Sequence, residues 1–282
     1  MTSTLTIGGD LTVKRLGFGA MRLTGKGVWG PPDDRDECIR VLRRAAELGV
    51  DFIDTANSYG PYVSEELIRE ALHPYDGVVV ATKAGLLRTG PDQWPVLGFP
   101  AYLRQECEMS LRRLGVDTID LFQLHRIDDK FPLEDQIGEL VALQSEGKIR
   151  HIGLSEVNAD QLGAARAITA IASVQNMYNL TARTAESVLE ACEADAIAFI
   201  PWFPLAAGPL AAADGPLQRI AADHHATPSQ LALAWLLKRS PVMVPIPGTS
   251  KVAHLEENVA AAKIELTEAE LDTLSKAGAA EG

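Results

Sequence analysis

Short apolar runs alternate with helical patterns along the whole chain, and this alternation most constrains the fold. The eight predicted strands are 16–21, 50–54, 78–82, 121–125, 149–154, 174–175, 197–202 and 242–246. The helical patterns lie near 36–48, 64–72, 100–114, 133–146, 160–171, 185–194, 228–239 and 254–262. The strands are rich in Val, Ile and Leu, as parallel strands covered on both faces are. Eight strand–helix units predict an α/β fold, a (β/α)8 TIM barrel.

A few further elements accompany the barrel pattern. The polar N-terminus predicts a β-hairpin that turns at Gly8-Gly9-Asp10, and extra helices are expected near 217–224 and 268–277. Asp160 and Thr227 are candidate helix caps. Because no linker or low-complexity segment interrupts the pattern, we expect residues 1–282 to form a single domain.

Composition excludes several classes of function. The net charge of −12 argues against a generally basic surface that binds nucleic acid. Cys38, Cys107 and Cys192 lie far apart, which indicates reduced, buried thiols in a cytoplasmic protein and neither disulfides nor a metal site. The uncharged stretch 196–213 contains three prolines and a glycine, so it predicts a buried strand and loop, with no membrane helix.

Two short motifs mimic binding sites. The stretch 25–30 has the spacing G-x-G-x-x-G, but prolines follow it where a dinucleotide fingerprint requires a helix. The pair His224-His225 has no cysteine or carboxylate at ligand spacing. We therefore expect neither a Rossmann domain nor a bound metal.

Four polar residues end or follow three successive predicted strands: Asp54, Tyr59, Lys83 and His125. In a (β/α)8 barrel the C-terminal strand ends form the active site, so these side chains should converge. Lys83, kept charged by Asp54, should lower the pKa of Tyr59 and make it a general acid. With His125 orienting a carbonyl group, the set lacks only a reductant, which a cofactor must supply.

Aromatic residues lie in the long loops expected above the barrel. The predicted loops are 24–34, 85–99 and 203–216, and they include Trp29, Trp94 and Phe99. These three side chains suit a pocket for a flat or apolar substrate. The alternative is that they only anchor the loops.

Several motifs in order resemble those of the aldo-keto reductase superfamily. They are Asp-Thr-Ala-Asn-Ser-Tyr-Gly at 54–60, Ala-Thr-Lys at 81–83, Leu-Phe-Gln-Leu-His at 121–125, the strand segments 149–155 and 174–179, and Ile-Pro-Gly-Thr-Ser at 246–250. The resemblance covers nearly the whole chain. It implies a cytoplasmic oxidoreductase that uses NADP(H), with a small carbonyl or alcohol as substrate. Tyr59 would donate the proton that accompanies hydride transfer.

The resemblance also implies a set of cofactor-binding residues. Ser155 and Gln175 would hold the nicotinamide carboxamide, and Trp202, in place of the family's usual tyrosine, would stack on the ring. The remaining positions implied are Met21, Glu156, Phe203, Pro204, Leu205, Gly248, Thr249, Ser250, Lys251, His254, Glu257 and Asn258.

Two departures from the family pattern affect the cofactor. Glu156 replaces a usual asparagine, and we hypothesise that its carboxylate, if it points inward, favours NADP+ over NADPH. His254 replaces an arginine that many members use for the 2′-phosphate, which leaves NAD(H) as an alternative cofactor.

Within the superfamily, the chain looks most similar to bacterial pyridoxal reductases, also called pyridoxine 4-dehydrogenases. The segments that carry this similarity are 28–32, 57–61, 201–205 and 247–255. A second interpretation is a cofactor-binding sensor or auxiliary subunit that resembles potassium-channel β subunits. Turnover of a carbonyl substrate distinguishes the two.

Overall fold

The computed structural model describes residues 3–205 and 215–279. The strands are Thr4–Ile7 (β1), Leu11–Lys14 (β2), Phe18–Gly19 (β3), Phe52–Asp54 (β4), Val79–Ala84 (β5), Ile119–Leu124 (β6), Ile149–Ser155 (β7), Ser173–Gln175 (β8) and Ala198–Phe199 (β9). The helices are Arg35–Glu47 (α1), Val63–Leu72 (α2), Pro100–Leu114 (α3), Leu133–Ser145 (α4), Ala159–Ile168 (α5), Glu186–Ala194 (α6), Pro216–Asp223 (α7), Pro228–Arg239 (α8), Val252–Ala260 (α9) and Glu268–Ala279 (α10). Most of the predicted loop 203–216 falls at 206–214, outside the described residues.

Strands β3 to β9 form one parallel sheet in chain order, and the segment 242–247 closes it into a barrel. The N–H of Phe199 donates to Val242 O at 2.9 Å, and on the other side Gly17 N–H donates to Pro245 O at 3.0 Å. The predicted barrel is confirmed, but the prediction of a regular eighth strand is wrong. Pro245 and Pro247 have no N–H to complete a ladder.

The N-terminal hairpin closes the bottom of the barrel. β1 pairs antiparallel with β2, and the chain turns at 8–10 as predicted. Ile7, Leu11 and Val13 belong to the same buried cluster as Phe52 and Leu121. Because this end is filled with apolar side chains, the opposite end is left for polar groups.

The helices mostly follow the sequence pattern. α3 and α8 have the predicted bounds, and Thr227 caps α8 by accepting from Gln230 N–H. The cap expected at Asp160 is wrong, because Asn158, two residues earlier, is the cap and forms a reciprocal capping box with Gln161. The three cysteines are buried and unpaired, as expected. Within 3–205 and 215–279 no helix is long and apolar enough to cross a membrane.

The two-residue period of the strands places the polar groups above the apolar floor. Phe52, Ala81 and Leu121 pack inside the barrel. Two residues further along each strand come Asp54, Lys83 and Gln123, which point to the same inner face. A polar layer is thereby built directly above the apolar one, at the C-terminal end of the sheet.

Candidate active site

The polar layer is organised around the carboxylate of Asp54. Lys83 is fully buried, and its Nζ lies 2.5 Å from Asp54 Oδ1 and 2.8 Å from Thr55 O. The other oxygen, Oδ2, accepts from Gln123 Nε2 at 3.0 Å and Gln175 Nε2 at 2.9 Å. A buried ion pair needs such additional hydrogen bonds to offset its desolvation. The layer therefore holds a compensated charge pair with fixed orientation.

Tyr59 lies over this pair, with the Lys83 ammonium 5.2 Å from the centroid of its ring. Burial raises the pKa of the Tyr59 phenol above its usual range, and Lys83 opposes part of that rise. The expectation that Lys83 lowers the net pKa is wrong in direction, because desolvation outweighs the ammonium. Tyr59 is therefore protonated at neutral pH, while Lys83 still favours the phenolate that proton donation leaves behind.

His125 directly follows β6 and faces Tyr59, with 6.0 Å between the ring centroids. Burial, together with the charges of Lys83 and Arg126, holds the pKa of His125 well below its usual range. The imidazole is therefore neutral. Its Nδ1 lies 3.4 Å from Ser58 Oγ. When Ser58 donates to Nδ1, Nε2 carries the proton and can donate to a carbonyl oxygen.

A cavity of about 560 Å³ opens above these groups. Its walls include Met21, Asp54, Tyr59, Trp94, His125, Ser155, Gln175, Trp202, Phe203, Pro204, Leu205 and Gly248, all of them singled out from the sequence. Lys83 lies beneath the floor. The structure therefore brings three of the four strand-end residues and most of the cofactor candidates to one cavity.

The aromatic loop residues divide into two groups. Trp94 lines the cavity, 6.5 Å from the Tyr59 ring in an edge-on arrangement, and the Arg88 guanidinium stacks on the Trp94 ring, 3.6 Å from its centroid. Trp29 and Phe99 are not among the lining residues, which corrects their assignment to the substrate pocket. Phe99 packs against Phe131 on the surface, with 5.5 Å between the two ring centroids.

Glu156 lies behind the cavity wall, in a left-handed backbone conformation. Its Oε1 accepts from the indole Nε1 of Trp202 and from the N–H of Met177, each at 2.6 Å. Glu156 is not among the residues that line the cavity. The inward orientation that the NADP+ hypothesis requires is therefore not the one observed, and the carboxylate anchors Trp202.

The segment expected to meet a 2′-phosphate leads into α9. Lys251 is the cap residue of α9, and helix N-termini attract anions. However, Glu37 already accepts from Val252 N–H at 3.1 Å. The side chain of Glu257 is also engaged, because its Oε1 accepts from Thr227 Oγ1 at 2.6 Å. The other candidates in this segment have different surroundings: Thr249 and Asn258 are buried, Ser250 is partly buried and His254 is exposed.

Sequence reasoning missed three residues around the site. Gln123 lies on β6, two residues before His125. Because side chains two residues apart on a strand point to the same face, the strand period could have identified it. Arg88 joins the pocket loops by donating to the carbonyls of Gly27, Val28 and Ser58. Arg126 lines the cavity and donates to Ser155 Oγ at 3.1 Å. Its only sequence signal was its position next to His125.

The donor set of the cavity fits a nicotinamide dinucleotide. Ser155 offers a hydroxyl group, and Gln175, whose Nε2 donates to Asp54, lines the same cavity. Trp202 supplies a partly exposed indole on the cavity wall. These are groups that hold an amide and an aromatic ring, and Lys251 adds a cation at the phosphate end.

Comparison with known proteins agrees with this geometry. The aldo/keto reductase family model matches residues 15–279. An uncharacterized oxidoreductase of Schizosaccharomyces pombe is 55% identical over 97% of this chain and 89% of its own. Pyridoxine 4-dehydrogenase of Escherichia coli is 45% identical over 97% of both chains. The crystal structure of an aldo-keto reductase from Klebsiella pneumoniae in complex with NADPH is 29% identical, with a TM-score of 0.83 over 98% of this chain and 95% of that chain. The chain therefore belongs to the aldo/keto reductase family.

Proposed function

We propose that this protein reduces aldehydes to alcohols with NADPH, and that pyridoxal is among its substrates. The observation that carries the proposal is the position of Tyr59 and His125 in one cavity, above the buried Lys83–Asp54 pair. The E. coli relative, which covers 97% of this chain, supports the choice of substrate. The Klebsiella reductase, whose structure contains NADPH, supports the choice of cofactor.

Tyr59 is the proposed general acid. In the reduction, the carbonyl carbon gains a hydride and the carbonyl oxygen gains the phenolic proton, which gives an alcohol and a tyrosinate. When bound, a reduced nicotinamide supplies the hydride, which none of these side chains carries. Lys83 stabilises the tyrosinate electrostatically, and water restores the proton. Asp54 keeps Lys83 charged and in place through the 2.5 Å contact.

His125 is the proposed orienting residue. A neutral imidazole can donate one hydrogen bond to the carbonyl oxygen without competing as an acid. Because the pKa of His125 is held well below its usual range, this role persists at neutral pH. Tyr59 and His125 would then hold the same oxygen from two sides, at the point where negative charge develops.

The remaining residues have proposed binding roles. Ser155 and Gln175 would hold the carboxamide, and the indole of Trp202 would stack on the nicotinamide. The segment 203–205 would border the pyrophosphate, and Gly248 to Lys251 would meet the ribose phosphate. Trp94 and the apolar wall around it suit a flat aromatic aldehyde.

The test is consumption of NADPH with a panel of carbonyl compounds that includes pyridoxal, benzaldehyde and a short aliphatic aldehyde. The same panel with NADH measures cofactor preference. We expect NADPH oxidation with pyridoxal and formation of pyridoxine. Tight NADPH binding without oxidation by any member of the panel would contradict the proposal and favour a cofactor-binding sensor.

A further inference from the structure

Arg126 lies in the wall of the cavity, directly after His125. It is partly buried and lines the same space as Tyr59 and Ser155. Its Nη1 donates to the carbonyl oxygen of His125 at 2.5 Å and to Ser155 Oγ at 3.1 Å. These two contacts fix the guanidinium on one side and use one of its three nitrogens.

In the described part of the chain, the charge of Arg126 is in direct contact with no carboxylate, and Glu156 acts on it only at longer range. No ion pair there includes Arg126, and its Nε and Nη2 have no hydrogen-bond partner among those residues. The nearby carboxylates are engaged elsewhere. Asp54 binds Lys83, and Glu156 binds Trp202. Nε and Nη2 are not enclosed by protein, so an anionic ligand in the cavity would form charge-assisted hydrogen bonds with them.

The lysine below the cavity cannot serve an anionic ligand in the same way. Lys83 is fully buried, and its charge is compensated by Asp54 at 2.5 Å. The cavity wall also contains a second acid besides Asp54. This is Asp92, which is exposed and interacts electrostatically with Arg88. Two arginines line the cavity, and Arg22 is exposed, whereas Arg126 is partly buried and directly follows His125. Arg126 is therefore the cation beside His125 whose charge a substrate could neutralise.

We infer that Arg126 binds an anionic oxygen that the substrate carries next to its reacting carbonyl group. This rests on the proposed function, because Tyr59 and His125 are taken to hold the carbonyl oxygen. Arg126 follows His125 in the chain, so an adjacent anion would meet its free N–H groups. A guanidinium fork suits an oxyanion in a fixed position better than an ammonium does.

Two kinds of carbonyl compound present that chemistry. In an aryl aldehyde with an ortho hydroxyl group, the phenolate oxygen lies beside the aldehyde. Pyridoxal has this arrangement. In a 2-oxo acid, the carboxylate is bonded to the carbonyl carbon.

An isomer pair tests the inference. 2-Hydroxy-5-nitrobenzaldehyde and 4-hydroxy-3-nitrobenzaldehyde are both phenolates near neutral pH, but only the first has its anionic oxygen beside the aldehyde. We expect the wild type to prefer the ortho isomer in kcat/KM. Arg126→Met should reduce that preference about 10- to 100-fold, the scale of a lost hydrogen bond between charged groups. Arg126→Lys should restore part of it, and benzaldehyde should change much less.

A comparison of phenylglyoxylate with acetophenone covers the 2-oxo acids. A preference for phenylglyoxylate that depends on Arg126 would identify the anion as a carboxylate. If only the ortho aldehyde shows this dependence, the anion is a phenolate.

Calorimetric binding of the two corresponding nitrobenzyl alcohols separates the inference from the proposed function. An ortho preference that Arg126→Met abolishes supports the inference even without turnover. Failure of every aldehyde to oxidise NADPH would contradict the proposed function alone. If Arg126→Met weakens both isomers equally, in turnover and in binding, the inference is overturned. Arg126 would then support only His125 and Ser155.

Discussion

Trp202 donates its indole N–H to Oε1 of Glu156 over 2.6 Å. The resemblance to the aldo-keto reductase motifs implies Tyr and Asn at these two positions, where this chain has Trp and Glu. The departures are complementary, because an indole brings an N–H donor and glutamate brings an acceptor. The same oxygen also accepts from Met177 N–H, so the indole is tied to the backbone after β8.

Through this hydrogen bond, Glu156 anchors Trp202, the residue proposed to stack on the nicotinamide. We expect Glu156→Ala to weaken NADPH binding about 5- to 10-fold, because Trp202 loses its partner and its N–H is left unsatisfied. Glu156→Gln keeps an acceptor oxygen and should stay within about 2-fold of wild type. Calorimetric Kd values for NADPH measure both effects. Equal losses in the two variants would show that the charge matters and the anchor does not.

Glu37, on α1, places its carboxylate at the N-terminus of α9, where we expect it to weaken binding of a 2′-phosphate. Its carboxylate accepts from Val252 N–H at 3.1 Å, where the dipole of α9 favours an anion. We expect Glu37→Gln to tighten NADPH binding about 2- to 5-fold and to leave NADH nearly unchanged. The reason is that removing a partly exposed charge at a helix end changes the free energy by about 0.3–1 kcal/mol.

The matched control is Glu47→Gln on the same helix, α1, where the carboxylate is exposed and pairs with Arg44. It should change neither Kd. The expectation fails if Glu37→Gln shifts NADPH and NADH by the same factor, because the charge would then act without regard to the 2′-phosphate.

The neutral state of His125 should make stability depend on pH. In the unfolded chain a histidine binds a proton below about pH 6.5, whereas the folded pKa of His125 is well below that value. The unfolded state thus takes up more protons as the pH falls through about 6.5. The contribution of His125 to the free energy of unfolding is therefore complete above this pH and decreases below it, by up to about 1.4 kcal/mol per pH unit.

Urea unfolding of wild type and His125→Gln between about pH 5 and 8 measures this contribution. The difference in unfolding free energy between the two proteins should shift against the wild type as the pH falls. Parallel curves for the two proteins would mean that His125 is as easily protonated in the folded state as in the unfolded one.

The barrel and its polar layer could be predicted from sequence because both depend on local periodicity. The helix Pro100–Leu114 was bounded correctly since proline begins it and Gly115, in a left-handed conformation, ends it. Asp54 ends β4, Lys83 lies near the end of β5 and His125 follows β6, and the inner face of these buried strands repeats every two residues. No information from distant parts of the chain is needed for these assignments.

The errors arose where tertiary contacts decide. Phe99 and Trp94 both lie in the loop after β5, yet only Trp94 reaches the cavity, where Arg88 stacks on it. Pairing of β9 and β3 with a segment containing Pro245 is a long-range arrangement that local strand propensity does not describe. The pKa of Tyr59 likewise depends on its burial, which the spacing of Lys83 along the chain does not reveal.

The most direct test of the proposed chemistry is the NADPH-dependent reduction of pyridoxal by Tyr59→Phe. Tyr62→Phe, the same change at an exposed tyrosine three residues further along, is the control. Loss of the general acid should lower kcat about 100-fold or more, with the Kd for NADPH unchanged and Tyr62→Phe close to wild type. Near-normal turnover by Tyr59→Phe would contradict the assignment of Tyr59 as the proton donor.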